Sequence, residues 1–430
     1  MSSPVWGGAN VVSDERSSLP ARVDVAIVGA GLTGLSAAYH LLRDRPGLAV
    51  AILDARGPGY GASGRTTGMV TPGIGQDFAR LVDRIGPTRA AEAYRLTREA
   101  VHEVAALVSR EGIECEHLAR GQLVVAHGEK GPPRIARQAE ALSRSGQPCV
   151  ALGAAELAGR VRLRFASSRG TLAGYFLPDA ASVNPVMLVE GLARAARLRG
   201  ASIVFPAAVR NLVHGSVVTL ELSDGDRLAA SQVILATGGH APALAGNTGR
   251  ILPLTLTVAA TRPLDEAELA RIGWAGRECI VDSRRFFSYF RLTKDRRVVF
   301  GGGVPLWGAM AAALPRSFGP LERELRSAFE GGESFDVAHR WCGTIDYTLD
   351  SLPMIGPVHG RENVTYVGGF CGHGIALGIR AGRSIAEGVL RGRVTPLLPW
   401  LREKPAWIPG EWVRKQCFAA ASYWMRLRDA

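Results

Sequence analysis

The sequence predicts an α/β protein of two domains, one built on a parallel sheet and the other on a mixed or antiparallel sheet. A short apolar strand at residues 25–28 runs directly into a glycine-rich turn, and apolar residues at helical spacing follow it. Residues 250–305 instead read as successive strands. A chain of 430 residues, 47% of them hydrophobic, is too long for one ordinary core, so two domains are expected.

The chain begins with MSSPVWGGANVVSDERSSLP, which lacks the basic segment and apolar stretch of a secretory signal. We expect residues 1–20 to form a flexible polar arm. No apolar run is long enough to predict a membrane span. Six singly spaced cysteines favour reduced thiols over a disulfide framework or a zinc site. These features predict a cytoplasmic protein without a bound metal.

The turn at residues 29–34, GAGLTG, carries the G-x-G-x-x-G dinucleotide fingerprint between a strand and a helix. Gly29 allows the tight turn, Gly31 lets a pyrophosphate approach the backbone, and Gly34 lets the helix pack on its strand. The N-terminus of the helix then supplies unpaired N–H groups and a partial positive charge.

A second strand, residues 50–53, ends at Asp54, which follows Gly34 by 20 residues (54 − 34). An acid at this spacing can accept hydrogen bonds from ribose hydroxyls. Strand, turn, helix and acid together predict a Rossmann-type dinucleotide-binding domain.

Three further stretches favour FAD over a nicotinamide nucleotide. They are GYGASGRTTGMV at residues 59–70, VILATGG at 233–239 and GFCGHG at 369–374, the last opening into a second helical pattern. A nicotinamide domain has no need of three more close approaches to the backbone. An extended cofactor, with phosphates at one end and a ring system at the other, does.

These motifs resemble those of the FAD-dependent amine and amino-acid oxidase superfamily, which includes D-amino-acid, glycine and sarcosine oxidases. Within it the sequence is similar to γ-glutamylputrescine oxidase-like enzymes, through GASGR, YFRLTKDRRVVFGGG, GTIDYTLDSLPMIG and GFCGHG in that order. The resemblance covers roughly residues 22–395 and implies a glutathione-reductase-like FAD domain with an α+β substrate domain. The family loop commonly reads GRNGG or GRTGG, whereas this chain has GRTTG with a side chain at Thr67.

The resemblance also assigns the cofactor site. In the family the first turn holds the pyrophosphate, the segment near Val209 contacts the adenine, and the helix after GFxGHG points its N-terminus at the N1–C2=O edge of the flavin. The predicted cofactor-binding residues are Gly29, Gly31, Leu32, Thr33, Gly34, Asp54, Ala55, Ser63, Gly64, Arg65, Thr66, Thr67, Val209, Ala236, Thr237, Gly238, Gly372, His373, Gly374 and Ile375.

We expect both domains to be discontinuous in sequence. The FAD domain would comprise residues 20–80, 180–245 and 345–395, and the substrate domain residues 81–179 and 246–344. Residues 85–145 read as helical at amphipathic spacing. The remainder, residues 396–430, would form an amphipathic helical region.

The implied reaction is hydride transfer from a C–N carbon of an amine or amino-acid substrate to flavin N5, giving an imine and then a carbonyl compound. Electrons would pass to O₂ or another acceptor. Only one dinucleotide fingerprint is present in the sequence, which favours reduction by the organic substrate over an NAD(P)H-dependent flavin monooxygenase. That monooxygenase, and an FAD-bearing subunit of a larger complex, are the alternatives.

Three residues are candidates for the catalytic pocket. Tyr289 and Arg291 lie two apart on a predicted strand and so face the same side, where the arginine could pair with a substrate carboxylate. A structural arginine on the outer face of the sheet is the alternative. His373 lies inside the second glycine-rich turn, with a purely structural bond at the helix start as its alternative.

Cys342 raises the question of covalent flavin. In monomeric sarcosine oxidases the attachment cysteine lies just upstream of the segment that corresponds to Asp350, and the matching position here is Gly343. A shift of one residue turns a strand side chain to the opposite face. We therefore expect noncovalent FAD.

The formal net charge of +12 does not predict nucleic-acid binding. All but four of the 51 basic residues are arginine, and they are interspersed with acids rather than gathered in a block. We expect no nucleic-acid partner.

At the C-terminus, Val413, Cys417, Ala420, Trp424 and Leu427 fall on one face of a predicted helix. We expect this stripe to dock on the protein's own body because small residues suit close helix packing, with an anionic membrane surface as the alternative.

Overall fold

The computed structural model describes residues 4–7, 18–166, 172–246, 249–308, 314–358, 360–401 and 406–429. The strands are β1 (Arg22–Val28), β2 (Val50–Leu53), β3 (Met69–Val70), β4 (Gln122–Val125), β5 (Val150–Leu152), β6 (Gly174–Leu177), β7 (Ala181–Ser182), β8 (Ser202–Val204), β9 (Val209–Val213), β10 (Val218–Leu222), β11 (Arg227–Leu235), β12 (Leu252–Thr261), β13 (Cys279–Asp282), β14 (Tyr289–Leu292), β15 (Val298–Trp307), β16 (Val337–Tyr347), β17 (Met354–Val358) and β18 (Arg361–Gly368). The α-helices are α1 (Leu32–Asp44), α2 (Ala62–Arg65), α3 (Phe78–Ile85), α4 (Pro87–Arg110), α5 (Gly131–Arg144), α6 (Ala154–Ala158), α7 (Pro185–Leu198), α8 (Glu266–Ile272), α9 (Leu314–Ala328), α10 (Gly374–Leu390) and α11 (Glu411–Asp429).

The first sheet contains the predicted dinucleotide-binding strands. Its order is β17-β18-β11-β1-β2-β8, and the hairpin of β9 and β10 joins it through β10. From β18 to β8 each strand runs parallel to its neighbours in the sheet. Two strands pair antiparallel: β17 with β18, and β10 with β11. Parallel strands covered on both faces read as continuous apolar runs, and all four residues of β2 are buried. The Rossmann-type sheet predicted from the sequence is confirmed.

Parallel pairing brings the predicted cofactor-binding segments to one edge of this sheet. Val28 pairs with Leu53 of β2 and with Leu235 of β11. The fingerprint turn after β1, Asp54 after β2 and Ala236 after β11 therefore leave the sheet side by side, at the edge where ligands bind in such folds. Helices α1, α7 and α10 cover one face of the sheet and bury a large aliphatic core against it.

The second sheet has the order β16-β12-β15-β14-β13-β4-β6-β5. Its strands pair antiparallel except for β13 and β4, which run parallel, so the sheet is mixed, as predicted. The segment predicted as strands, residues 250–305, contains β12 to β14 and most of β15, with α8 between β12 and β13. The predicted domain boundary at residue 344 falls inside β16, and the division into domains stays a prediction.

The helical prediction for residues 85–145 missed one strand. Helices α4 and α5 lie there, but β4 runs between them and all four of its residues are buried. Its sequence, QLVV, is too short to show an alternating pattern between two strongly amphipathic segments. Its place is fixed instead by pairing with β13 and β6 on its two sides.

The prediction of a flexible arm over residues 1–20 is wrong for residues 4–7, while residues 1–3 and 8–17 lie outside the described part of the chain. Pro4 is buried, and the ring of Trp6 lies 6.4 Å from that of Trp341 in an edge-to-face contact. A tryptophan buries enough apolar area to anchor a short segment that has no periodicity of its own.

The C-terminal helix forms as predicted, but it docks through a different face. Val413 and Trp424 of the predicted stripe are 38% and 49% exposed, and Cys417 is exposed. The inward face instead carries Phe418 and Ser422, because a phenyl ring offers far more apolar area than the small residues of the stripe. The side chain of Leu427 lies outside the described residues. Over the part of the chain that the structure describes, no helix has the length and apolarity to cross a membrane.

Candidate active site

A cavity of about 1010 Å³ is lined by residues from both sheets and from α10 and α11. Its size lies at the upper end of the range for small-molecule sites, roughly 300–1,000 Å³. All predicted site residues line it except Gly34, Gly64 and Arg291. The sequence motifs therefore converge on one space, although they are spread over more than 300 residues of chain.

Glycines at the first turn allow close approaches of the backbone. Gly29 has a φ of 110°, and a Cβ there would overlap the carbonyl oxygen of Ala236. A Cβ at Gly34 would overlap the carbonyl oxygen of Gly29, so only glycine lets α1 pack on the turn. Gly31 precedes α1 without a side-chain cap, and its Cβ would lie 3.0 Å from Ser63 Oγ. The pyrophosphate contact predicted for Gly31 stays a prediction.

Asp54 ties the fingerprint turn to the loop after β2. Its Oδ2 accepts the N–H of Ala30 at 2.7 Å, and its Oδ1 accepts those of Arg56 and Gly57 at 2.9 and 2.8 Å. A carboxylate can accept all three because each oxygen carries two lone pairs. The carboxylate also lines the cavity, where the predicted ribose contact stays a prediction.

Side-chain donors hold the loop at residues 65–67, which follows the short helix α2 and lines the cavity. Each of its three successive carbonyl oxygens accepts one N–H: Arg65 O from Trp341 Nε1 at 2.8 Å, Thr66 O from Trp6 Nε1 at 2.9 Å, and Thr67 O from Arg291 Nε at 2.5 Å. Because peptide planes are rigid, fixing the carbonyls on one side fixes the direction of the N–H groups and side chains on the other. The loop is thus oriented from behind.

Arg291 lies outside the cavity lining, behind loop 65–67. It is 2% exposed, and its Nη2 donates to the carbonyl oxygen of Val183 at 2.7 Å in addition to the bond to Thr67. Its Cζ lies 4.8 Å from the ring centroid of Trp6, and burial lowers the pKa of the guanidinium to about 10. These contacts give Arg291 a structural place in the interior, behind the loop and not on the outer face of the sheet, and its pairing with substrate stays a prediction.

Tyr289, two residues earlier on β14, does line the cavity. A Cβ at the facing Gly301 would overlap its ring, so glycine on β15 makes room for it. Burial raises the pKa of its hydroxyl, which is therefore neutral at physiological pH. A role for Tyr289 toward substrate stays a prediction.

His373 caps the second turn at the start of α10. Its Nδ1 accepts the N–H of Gly75 at 3.3 Å, so the ring proton resides on Nε2. Burial lowers the pKa of the imidazole to about 4, and the ring is neutral at physiological pH. Because Nδ1 is already bonded to Gly75, His373 does not offer that nitrogen to the cavity as a base.

Asp346 holds the second glycine-rich turn through two hydrogen bonds. Its Oδ2 accepts the N–H of Gly369 at 2.5 Å, and its carbonyl oxygen accepts the N–H of Cys371 at 3.1 Å. Burial raises the pKa of the carboxyl to about 6. Gly372 has a φ of 94°, and a Cβ there would meet no atom within 4 Å, so its backbone borders open space.

The two helices that begin at the cavity pack against each other at very short range. A Cβ at Gly382 of α10 would lie 2.5 Å from the carbonyl oxygen of Thr33, and one at Gly378 would lie 2.8 Å from Thr33 Oγ1. Ser36 Oγ also donates to the carbonyl oxygen of Ile379 at 2.7 Å. The N-cap residues Gly31 and His373 make no side-chain cap, although Ser63 Oγ accepts the N–H of Leu32 at 3.0 Å. Small residues thus hold two N-terminal dipole ends at the same cavity.

The position that the resemblance marks for covalent attachment is occupied by a glycine. Gly343 lines the cavity beside Arg65, and a Cβ there would lie 3.1 Å from Arg65 Cβ. Cys342 lies outside the lining, and burial raises the pKa of its thiol. The glycine at position 343 lies at the cavity and the neighbouring cysteine at position 342 does not, as expected from the shift of one residue between Cys342 and the attachment position.

Two arginines of the lining form ion pairs with acidic side chains. Arg134 pairs with Asp77 at 2.8 Å, and Arg284 pairs with Asp282 at 2.5 Å and with Glu324. No cluster of three metal-ligating side chains occurs among the described residues.

Several lining residues were missed from the sequence. They come from β12, the loop after β13, the GTIDY segment and α11: Leu254, Leu256, Phe286, Phe287, Ile345, Phe418, Ala421 and Met425. Only the GTIDY motif gave a signal, since it recurs in the family. The others are ordinary apolar residues that become lining through tertiary packing.

Comparisons with known proteins agree with this geometry. A family model described as FAD dependent oxidoreductase matches residues 24–388. The chain is 31% identical over 379 residues to gamma-glutamylputrescine oxidoreductase of Escherichia coli (strain K12), covering 86% of this chain and 84% of that protein. It is 30% identical over 420 residues to the probable oxidoreductase OrdL of Rhizobium meliloti, covering 95% and 92%.

Solved structures share the fold. Glycine oxidase from Geobacillus kaustophilus superposes with a TM-score of 0.72 at 20% identity, covering 88% of this chain and all of that one (100%). L-proline dehydrogenase from P. horikoshii gives a TM-score of 0.72 at 18% identity, covering 89% and 96%.

Proposed function

The chain belongs to the family of FAD-dependent oxidoreductases, and from this premise we propose that it oxidises a C–N bond of an amine or amino-acid-like substrate. The substrate loses a hydride from the carbon and a proton from the nitrogen, and water hydrolyses the resulting imine to a carbonyl compound and an amine. Bound FAD supplies the two-electron acceptor, at its N5. The relative named for γ-glutamylputrescine supports the amine class.

One observation carries this proposal: α1 and α10 both begin at a single cavity, and neither N-cap residue caps its helix through a side chain. An extended cofactor with an anionic pyrophosphate and a distant electron-rich ring fits two such N-termini. Gly31 and Thr33 would face the pyrophosphate and Asp54 a ribose. Gly374 and Ile375, at the start of α10, would face the flavin edge that becomes negative on reduction.

The residues of the second turn position groups rather than react. Neutral His373 would hold the second turn in place while its Nδ1 remains bonded to Gly75. Proton removal from the amine would not need a protein base, because a buried site disfavours the charged ammonium before reaction. The apolar lining would keep water away from the reacting carbon.

We propose that FAD is held without a covalent bond, since Gly343 occupies the position of attachment. O₂ is the proposed electron acceptor, which would yield hydrogen peroxide. We also propose a cytoplasmic enzyme, because the six cysteines are singly spaced and form no pattern typical of a disulfide framework.

The test begins with the colour of the purified protein. Acid precipitation should release intact FAD into the supernatant, and flavin that stays with the polypeptide would overturn noncovalent binding. Under anaerobic conditions a panel of amines and amino acids should contain at least one compound that bleaches the flavin without NAD(P)H. If NADPH bleaches it rapidly and no amine or amino acid does, the protein is a monooxygenase instead. Gly31→Val should give colourless protein, since its side chain would occupy the approach of the pyrophosphate.

A further inference from the structure

Helix α11 lines the cavity although it lies beyond residues 24–388, the part of the chain that matches the family. Phe418, Ala421 and Met425 contribute to the lining. These residues are three and four apart, so they share one face of the helix. The opposite face of α11 is exposed, with Trp412 71% and Tyr423 67% accessible to solvent.

Specific contacts attach this helix to the second sheet. The ring of Phe418 lies 5.8 Å from that of Trp307 at the end of β15. Before the helix, Ile408 N–H donates to the carbonyl oxygen of Gly249 at 3.0 Å, and Arg414 Nη1 donates to the carbonyl oxygen of Ile408 at 3.1 Å. A tilted contact between two aromatic rings and these hydrogen bonds hold α11 beside β15 and the segment before β12.

Apolar side chains from other elements line the same cavity as α11: Leu254 and Leu256 of β12, Pro305 of β15 and Phe287. Two neighbouring arginines also line it. Arg284 is paired with Asp282 and Glu324, and Arg285 Cζ lies 5.8 Å from the ring centroid of Trp424 on α11. None of the three lining residues of α11 carries a charge or a strong hydrogen-bonding group. This end of the cavity therefore suits an uncharged, apolar part of a ligand.

We propose that the face formed by Phe418, Ala421 and Met425 determines substrate specificity, by limiting the length of the apolar group that a substrate carries beyond its reacting C–N bond. The proposal rests on the proposed function, which supplies the reacting end. The flavin would lie against the second turn and loop 65–67, and α11 lines the same cavity. A pocket of fixed length discriminates by roughly 10–200-fold per methylene group.

The test uses the full-length, FAD-loaded protein and a straight-chain series of whichever class the wild type oxidises, alkylamines or linear amino acids. Phe418→Ala should raise kcat/KM for the longest member relative to the shortest by about tenfold, because space opens at this end of the cavity. Ala421→Phe should lower the same ratio by about tenfold because it fills that space. Tyr423→Ala, on the exposed face of the same helix, is the matched control and should leave the ratio unchanged.

Ratios that stay within twofold of the Tyr423→Ala control in both pocket variants would overturn the proposal. If Phe418→Ala fails to fold, Ala421→Phe alone decides. The rise in melting temperature that each compound gives the FAD-loaded protein is a second readout that requires no turnover. If the wild type oxidises no compound of either series, the proposed function fails. In that case the rise in melting temperature, plotted against the chain length of the compound, still tests the role of α11. The same dependence on chain length in the wild type and in all variants would overturn that role.

Discussion

The indole Nε1 of Trp6 donates a hydrogen bond to the carbonyl oxygen of Thr66 at 2.9 Å, across 60 residues of chain. Its ring contacts Trp341 and lies under the guanidinium of Arg291, the two other donors to loop 65–67. A residue near the N-terminus therefore completes a set of donors that orients loop 65–67, which lines the cavity.

Trp6→Phe should weaken FAD binding about fivefold. The substitution keeps an aromatic ring and removes the donor, and a net hydrogen bond contributes about 1 kcal/mol. Fluorescence titration of the apoprotein with FAD measures the change. Trp400→Phe is the control, because Trp400 Nε1 donates to Glu92 at 2.9 Å outside the cavity lining. Equal losses in both variants, or none in Trp6→Phe, would contradict a positioning role.

The first βαβ unit could be predicted from sequence because its signals are local. A continuous apolar run, glycines at fixed offsets and an acid after the next strand mark the ends of β1, α1 and β2 without knowledge of anything distant. The segment of Trp6 gave no such signal: four described residues have no period, and their place is set by Trp341 and Arg291, far along the chain.

The alternation of side chains along β14 predicted that Tyr289 and Arg291 face the same side of the sheet, but not which residues each of them contacts. Both point the same way, yet one meets the cavity and the other meets the carbonyl oxygens of Thr67 and Val183. The face of α11 was misread for a similar reason. Its apolar residues surround much of the helix, and the docking face depends on Trp307, a tertiary partner that helical periodicity does not reveal.

Gly382→Ala should destabilise the protein by roughly 1–3 kcal/mol, the usual cost of overpacking. In a free helix alanine is more favourable than glycine by about 1 kcal/mol, so the sign itself tests the packing. The added Cβ would lie 2.5 Å from the carbonyl oxygen of Thr33. Urea unfolding of the FAD-loaded protein measures the change. Gly159→Ala is the control: Gly159 follows α6 with helical angles (φ −68°, ψ −17°), its Cβ would meet only the carbonyl oxygens of Ala155 and Glu156 at 3.5 Å, and stability should stay unchanged or rise.

If Gly382→Ala instead raised the free energy of unfolding above that of the wild type, α1 and α10 could move apart to admit the Cβ without loss of stability. The close packing would then not be what holds the two N-termini at one cavity.

His373→Asn should reduce the loss of stability on acidification. In the wild type the folded imidazole has a pKa of about 4, below its usual 6.5, so between these values the unfolded chain binds the proton and the fold does not. Stability therefore falls as pH drops from 7.5 to 5, by roughly 2 kcal/mol from this group. Asparagine can accept the Gly75 N–H but does not titrate.

Unfolding free energies at pH 7.5 and pH 5, measured in urea, give the difference for each protein. Other titrating groups, among them His40 and Asp346, are common to both and cancel in the comparison. An equal drop in wild type and variant would mean that the His373 ring is protonated in the folded state.

Arg291→Met should weaken FAD binding by loosening loop 65–67, without altering substrate preference. Methionine fills much of the buried space but leaves the carbonyl oxygens of Thr67 and Val183 without their donor, which costs about 1–3 kcal/mol for each buried group. We expect a lower melting temperature and weaker FAD binding. Because Arg291 lies outside the cavity lining, KM should change by the same factor for a carboxylate-bearing substrate and a neutral amine. Measuring both at saturating FAD decides between the two roles read from the sequence. A KM raised selectively for the carboxylate would return Arg291 to the substrate pocket, and an unchanged FAD affinity would remove its role behind the loop.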